Sequence, residues 1–474
     1  MARSGRWRRV RIRNDRRTAV PDRADRPSVP VPRQRCDALL DSAADRFTAR
    51  HVEQIWWRWH GPLDTERFVS AWQSVAEREA VLRAAFERRP SPRIVFHPHA
   101  HTQVLRHLAG SVDWDELLQE DRLHGFDVSR PGLLRVTLVD TGVPDGTRVL
   151  LTFHHGLLDA RSAYVLVNEF SRAYLADGVL PGGERRPDIR DWMCWLQRQD
   201  TASARDFLSR VLPAGTPVVL PVPAGPRTRR QGRGRAEARL TTAEANRLHR
   251  WAATRGLPDS SMVHVVWALL LYRAAKATGP VPVCFGVTAS GRGITLESAE
   301  RLVGPLRARL PVTVLVDPSW PIGRLLAALR DRVLEMAAYE WVSTGQIREW
   351  AGRPDSSPQS FVSLEHTPCW PADLRAQLAE QGIRFGRQHA GGAHPAEPLA
   401  LLVRGDADGS RSLAVVHDRS RIADADASRL ADQCVRLLRH LPTLDGTETV
   451  AEVLDAAAPE EPPHASPPRP GPGH

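Results

Sequence analysis

The run Leu150-Leu-Thr-Phe-His154-His155-Gly156-Leu-Leu-Asp159-Ala-Arg-Ser162 places two adjacent imidazoles just ahead of a carboxylate. Imidazole is the side chain that takes up and returns a proton near neutral pH. A carboxylate at the start of a helix can cap exposed N–H groups or pair with an arginine. Consecutive strand residues point to opposite faces, so an extended run through here sets His155 with Val149, Leu151 and Phe153, and His154 opposite. Both rings cannot then bind one metal ion, which argues against zinc and for two separate jobs. His155, on the apolar side at the mouth of a strand-to-helix loop, is expected to be desolvated, biased towards its neutral form and able to accept a proton. Asp159 is expected to brace the loop. By itself a histidine pair at a strand end is more often structural than catalytic, so its setting decides.

That setting reads as alternating strands and helices. Gly61-Pro62 breaks the chain, Asp64 can cap, and Phe68, Trp72, Val75 and Ala76 recur at helical spacing before residues 81–86 become extended. Strands are expected at 133–139 and 148–153 around a turn at 143–147, then a helix over 160–176 with Gly178 as its stop. Residues 213–235 are rich in Pro, Gly and Arg and read as an exposed connection. Beyond them come helices at 241–255 and 260–277, strands at 281–288 and 310–316, and a helix at 321–338. This order predicts an α/β body of two lobes.

The 474 residues suffice for two such lobes, and no run approaches the ~18 apolar residues of a membrane span. The net charge of +10 is uneven: residues 1–35 hold 12 Arg against 3 Asp, so the body is near neutral. The Arg-rich start could touch nucleic acid or an anionic surface, but it reads as a disordered tail over 1–35, matched by a Pro-rich tail over 456–474. Without an apolar segment after the arginines there is no secretory signal, and the cytoplasm is the expected location. The five cysteines lie far apart and form no metal or disulfide framework. Ser290-Gly-Arg292-Gly293 lacks the third glycine of a nucleotide-binding loop. His97, His99 and His101 read as a solvated edge, not a zinc or nickel site. Trp56, Trp57 and Trp59 read as a core strand face plus one exposed ring.

The chain resembles the condensation-domain superfamily of nonribosomal peptide synthetases, relatives of chloramphenicol acetyltransferase, whose signature is His-His-x-x-x-Asp-Gly. His154, His155 and Asp159 match it, and Ser162 fits a serine often found shortly after; Ala160 replaces the glycine. Gly61-Pro-Leu-Asp64, Arg78-Glu-Ala-Val-Leu-Arg83-Ala-Ala-Phe86, and Gly125-Phe-Asp127 with Pro131-Gly-Leu-Leu-Arg135 look like segments that precede the signature. Asp191-Trp-Met-Cys-Trp195, Phe285-Gly-Val-Thr-Ala-Ser290-Gly-Arg292 and Val303-Gly-Pro-Leu-Arg-Ala-Arg-Leu-Pro311 look like later ones. The resemblance spans residues 50–455.

It implies two acetyltransferase-like lobes, 36–185 and 186–455, in a V with an active-site tunnel between them. His155 would be the catalytic residue, orienting or deprotonating an amine or hydroxyl as it attacks a thioester. His154 and Asp159 would be structural, with Asp159 paired to Arg78 or Arg83. Gly156, Ser162, Trp195, Ser290, Arg292, Ala308 and His366 would line the tunnel. Ala308-Arg309 stands where relatives have Asn-Thr, and His366 near a frequent Asn, so an unusual acceptor pocket is expected. Ala160 would cost about 1 kcal/mol if its φ had to be positive. The histidine pair argues against heterocyclisation relatives, which carry aspartates there. No carrier attachment site or adenylation-like region is evident. The expectation is therefore a free-standing, monomeric enzyme without bound cofactor or metal. Its acyl donor would arrive on the phosphopantetheine arm of a separate carrier protein or on coenzyme A. A coenzyme A-dependent acyltransferase and a silent carrier-docking module are the rival readings.

Overall fold

The computed structural model describes residues 28–30 and 51–457, except 88–91, 144–145, 183–185, 212–216, 222–227, 229, 352–357, 366–369, 392–396 and 407. The terminal tails, apart from residues 28–30 and 456–457, therefore lie outside the described residues, as do Cys36, His366 and Cys369.

The first half runs β1 (Ser28–Pro30), β2 (Val52–His60), α1 (Thr65–Arg78), β3 (Ala84–Glu87), β4 (Arg93–Phe96) and β5 (Gln103–His107). It continues with α2 (Trp114–His124), β6 (Leu134–Asp140), β7 (Gly146–His154), α3 (Ala160–Leu175), α4 (Ile189–Gln197) and α5 (Thr201–Val211). The second half holds β8 (Arg233–Leu240), α6 (Thr242–Ala253), α7 (Asp259–Ala275), β9 (Val281–Ala289), β10 (Ala308–Val316), α8 (Ile322–Ala337) and α9 (Thr344–Ala351). It closes with β11 (Ser360–Glu365), α10 (Ala372–Glu380), β12 (Arg384–Phe385), β13 (His389–Gly391), β14 (Leu399–Gly405), β15 (Arg411–Asp418), α11 (Asp424–His440) and α12 (Val450–Ala456).

Two mixed sheets organise these elements. One has the order β12-β2-β7-β6-β5, with β13 also on β2; the other has the order β10-β9-β11-β14-β15-β8. The expected α/β body on two sheets is present. A smaller sheet, β1-β4-β3, stands apart.

Each sheet has its own core. In the first, Trp57 and Trp59 of β2 share one face and pack with Phe68 and Trp72 of α1 and Phe170 and Tyr174 of α3, while Trp56 on the other face is partly exposed. The Asp64 carboxylate caps α1 by accepting from the N–H groups of Glu66 and Arg67, as its sequence position predicts. After α1 a 3-10 turn over Ala80–Arg83 intervenes before β3, so the extended stretch is shorter than 81–86. In the second core α7 is buried on every side from Ser261 to Tyr272, which is why its sequence shows an apolar run and not a stripe.

The chain also returns to the first core from far away. Leu302, Val303 and Leu306 pack there, as do Trp370, Leu374, Leu378 and Ile383. β12 and β13 add edge pairing to β2. Strand β8 takes up the last residues of the segment 213–235, which was expected to be wholly a connection. His97, His99 and His101 lie in the irregular stretch between β4 and β5, not along a strand. Among the described residues no helix is long and apolar enough to cross a membrane.

Candidate functional site

β2 and β7 pair antiparallel, with Val52 opposite His154 and Glu53 opposite Phe153. The ladder runs one residue past β7, since the His155 N–H donates to the His51 carbonyl at 2.7 Å. Alternation therefore separates the two histidines as expected, but their environments are reversed from expectation. His154 is the buried ring, with 2% exposure. Its Nδ1 accepts from the Gly156 N–H at 3.0 Å, and its ring lies 6.0 Å from that of His51 and 6.5 Å from that of Phe126. Burial, with His51 and His155 adding like charge, pushes its pKa down to about 3. His154 is thus a neutral acceptor that closes the turn. The His155 side chain keeps 21% of its exposure and is the ring open to a reactant.

Asp159 is the N-cap of α3 and accepts from the Ser162 N–H at 2.8 Å. Its arginine is Arg292, not Arg78 or Arg83. Arg292 Nη1 and Nη2 each donate to one carboxylate oxygen at 3.0 Å, a bidentate pair with both side chains almost fully buried. Backbone N–H groups of Leu306 and Arg307 add donors at 3.1 and 3.0 Å. Burial alone would raise the carboxyl; the Arg292 charge and the hydrogen bonds from Arg292 and Ser162 instead bring it down to about 2. The Ser162 hydroxyl joins the same knot, 2.8 Å from Asp159 Oδ1 and 2.7 Å from the Gly304 carbonyl, and accepts from Gly304 N–H and Arg292 Nη2. Arg78 instead faces Glu169 at 3.9 Å, and Arg83 donates to the His97 and Pro98 carbonyls. Both lie on the chain close to the signature only in the order of motifs; the loop that carries Arg292 reaches Asp159 across the fold.

The remaining expected positions separate. Gly156 sits in the turn beside His154, and Ser290 braces its own loop by accepting from the Arg292 N–H. Ala308 opens β10 opposite Ala289, next to the donors on Asp159. Trp195 reaches towards that region through a bond from its Nε1 to Thr295 at 3.2 Å. Arg309 Nη1 donates to both carboxylate oxygens of Glu397, at 2.8 and 2.7 Å, and the guanidinium lies over the Phe361 ring. Ala160 begins α3 with no positive φ, so the conditional strain at this position does not arise.

Three residues escaped the sequence reading. Glu340 accepts from the N–H groups of Gly291 and Gly293 and so shapes the loop that presents Arg292. Glu53 Oε1 lies 2.9 Å from His155 Nδ1. Burial pushes the Glu53 carboxyl up, but the charges of His155 and Arg307 outweigh it and hold the group below its usual range. Arg307 itself donates to Ser363 Oγ. A sequence signal existed for Glu53: it shares its strand face with Ile55, Trp57 and Trp59, where a lone carboxylate is costly without a partner. Together these residues offer one partly open imidazole on a rigid, charge-balanced loop, a geometry able to take a proton from an attacking nucleophile.

A family model described as the condensation domain matches residues 41–442. Among curated relatives, one of the linear gramicidin synthase proteins of Brevibacillus parabrevis is 28% identical over 85% of this chain, and a chondramide synthase of Chondromyces crocatus is 29% identical over 71%. The chain spans only 5% and 9% of the length of those two proteins. Among solved structures, the condensation domain of the monacolin K polyketide synthase superposes with a TM-score of 0.73 at 16% identity, covering 90% of this chain and 99% of that one. The first condensation domain of the calcium-dependent antibiotic synthetase, solved with a substrate analogue, gives 0.71 at 19% identity, covering 90% and 98%.

Proposed function

The chain belongs to the condensation-domain family, and from that premise we propose that it transfers an acyl group from a carrier-protein thioester to an amine or hydroxyl acceptor, with His155 as the catalytic residue. Condensation domains form amide bonds by acyl transfer, and the fold here is theirs. The observation that carries the reading is the intact signature loop: a partly open His155 beside a fully bonded Asp159–Arg292 pair.

In this reading the thioester rests on the phosphopantetheine arm of the carrier, which enters a tunnel between residues 36–185 and 186–455. The acceptor nitrogen or oxygen attacks the thioester carbon, its new bond forms, and the carbonyl electron pair moves to oxygen. His155 takes the proton lost by the acceptor. Collapse of the tetrahedral intermediate breaks the C–S bond, and the proton passes to the departing thiolate. Asp159, Arg292 and Ser162 act indirectly by fixing the loop, and Arg307, Ala308 and Arg309 shape the acceptor side. In this reading the carrier docks on the condensation fold to deliver its thioester.

The test offers one acyl group, on a carrier protein and on coenzyme A, to mixed amines and alcohols, with product read by mass spectrometry. Transfer from the carrier that falls about 10²- to 10⁴-fold in His155→Ala, the range for loss of a general base, is expected. Transfer from coenzyme A in its place would make the protein a coenzyme A-dependent acyltransferase. Tight carrier binding without transfer would make it a docking module.

A further inference from the structure

The acetyltransferase-like site has one contact that its signature residues do not account for. Glu53 sits on β2 opposite Phe153, so its side chain emerges on the same face as Phe153 and, two residues on, His155. Its Oε1 comes within 2.9 Å of His155 Nδ1, with both side chains about one-fifth exposed. Nδ1 has no other partner among the described residues. The contact is a close charge approach, not an aligned hydrogen bond.

We propose that Glu53 is the positioning residue of His155, setting the ring so that Nδ1 carries the hydrogen and Nε2 offers the lone pair that receives the acceptor's proton. An ionised carboxylate presents only lone pairs. A second lone pair on Nδ1, 2.9 Å away, would face them repulsively, whereas an N–H there is attracted. The charge of His155 and then that of Arg307 on the neighbouring segment hold the Glu53 carboxyl below its usual range, and the Arg307 Nη2 donates to Ser363 Oγ, which holds that side chain in place. Once His155 has taken the proton, the same carboxylate faces an imidazolium and stabilises it. His154 cannot substitute, because its Nδ1 is committed as an acceptor from Gly156 and its ring lies on the opposite face.

This inference rests on the reading of His155 as proton acceptor, and the experiment separates the two. The full chain is labelled with ¹⁵N-histidine, and the side-chain nitrogen shifts of His155, assigned by comparison with His155→Ala, report which nitrogen bears hydrogen. The measurement is made on wild type, Glu53→Ala and the isosteric Glu53→Gln, beside kcat and KM in the carrier assay and a thermal melt. The expected result is an Nδ1–H ring in the wild type and a shift towards Nε2–H in Glu53→Ala. With it kcat should fall on the order of ten- to a hundred-fold at little-changed KM, less than the loss of the base itself. Glu53→Gln, whose amide can turn its oxygen lone pairs towards Nδ1, should keep the wild-type tautomer and recover part of kcat. A folded Glu53→Ala or Glu53→Gln protein whose tautomer and rate both match wild type overturns the positioning role. A loss of rate with an unchanged tautomer overturns it as well, since a merely structural carboxylate would do that. A shifted tautomer with unchanged turnover leaves the contact real but removes its catalytic purpose, and locates the failure in the role given to His155.

Discussion

At the residue scale Asp159 is the most heavily bonded carboxylate of the site, holding the Arg292 guanidinium in a region where that side chain is only 4% exposed. Removing the carboxylate leaves a buried cation without its partner, which costs about 3–5 kcal/mol in comparable buried pairs. Asp159→Ala should therefore lower the unfolding free energy measured in urea by that order, far more than Arg78→Ala, whose 3.9 Å contact with Glu169 is partly exposed; equal losses would return Arg78 to the role that motif order gave it. The acid behaviour follows with its sign. The folded carboxyl titrates at about 2 against about 4 when unfolded, so its stabilisation is complete above pH 4 and disappears as pH falls towards 2. Asp159 and the split of the two histidines were readable from spacing alone, because period-two alternation and helix capping are local rules. The identity of the arginine was not readable, because 133 residues separate it from Asp159 and the sequence holds many other arginines.

At the scale of elements the decisive piece is the loop 290–293 that follows β9. Gly291 has φ +70°, and a Cβ there would meet the Leu306 carbonyl oxygen at 1.8 Å, an overlap with backbone that no rotamer relieves. Gly291→Ala should destabilise the protein by more than about 1 kcal/mol, the scale for alanine forced into a left-handed conformation. It should also disturb the Arg292–Asp159 pair and so lower turnover. Gly293→Ala is the control, since its added carbon meets only the Glu340 side chain at 3.0 Å and no positive φ is required. If the two variants match in stability and rate, the loop does not hold the site. The helices α3, α6, α7 and α8 and the strands β6, β7, β9 and β10 were legible to within about two residues, because their apolar spacing is a local signal, whereas β11, β14, β15 and the long helix α11 were not read. The edge strands β12 and β13 were not: each is two or three residues long and joins β2 from more than 300 residues away, which leaves no periodicity to read.

At the scale of the whole molecule each core conceals a neutral imidazole, and this couples both halves to acid. His154 lies in the first. His264 of α7 lies in the second, against the Phe285 ring, with its Nε2 lacking a hydrogen-bond partner among the described residues. Burial alone brings its pKa down to about 4. An unfolded histidine titrates near 6.5, so between about pH 6.5 and 4 the unfolded chain binds more protons than the folded one, and stability falls as pH falls. The stabilisation of the neutral ring is whole above pH 6.5 and lost as pH drops through 4; for His264 it amounts to on the order of 3 kcal/mol. For His154 the loss extends lower, towards pH 3. The wild-type urea midpoint should therefore decline between pH 7 and 4.5 with an uptake of close to two protons on unfolding from this pair. His264→Leu replaces the ring with an apolar side chain in an apolar setting, so its decline should be shallower by about one proton. An unchanged slope in His264→Leu would mean that water or a proton reaches the second core in the folded state. Of the two buried imidazoles, that of the first core alone would then contribute to this acid sensitivity.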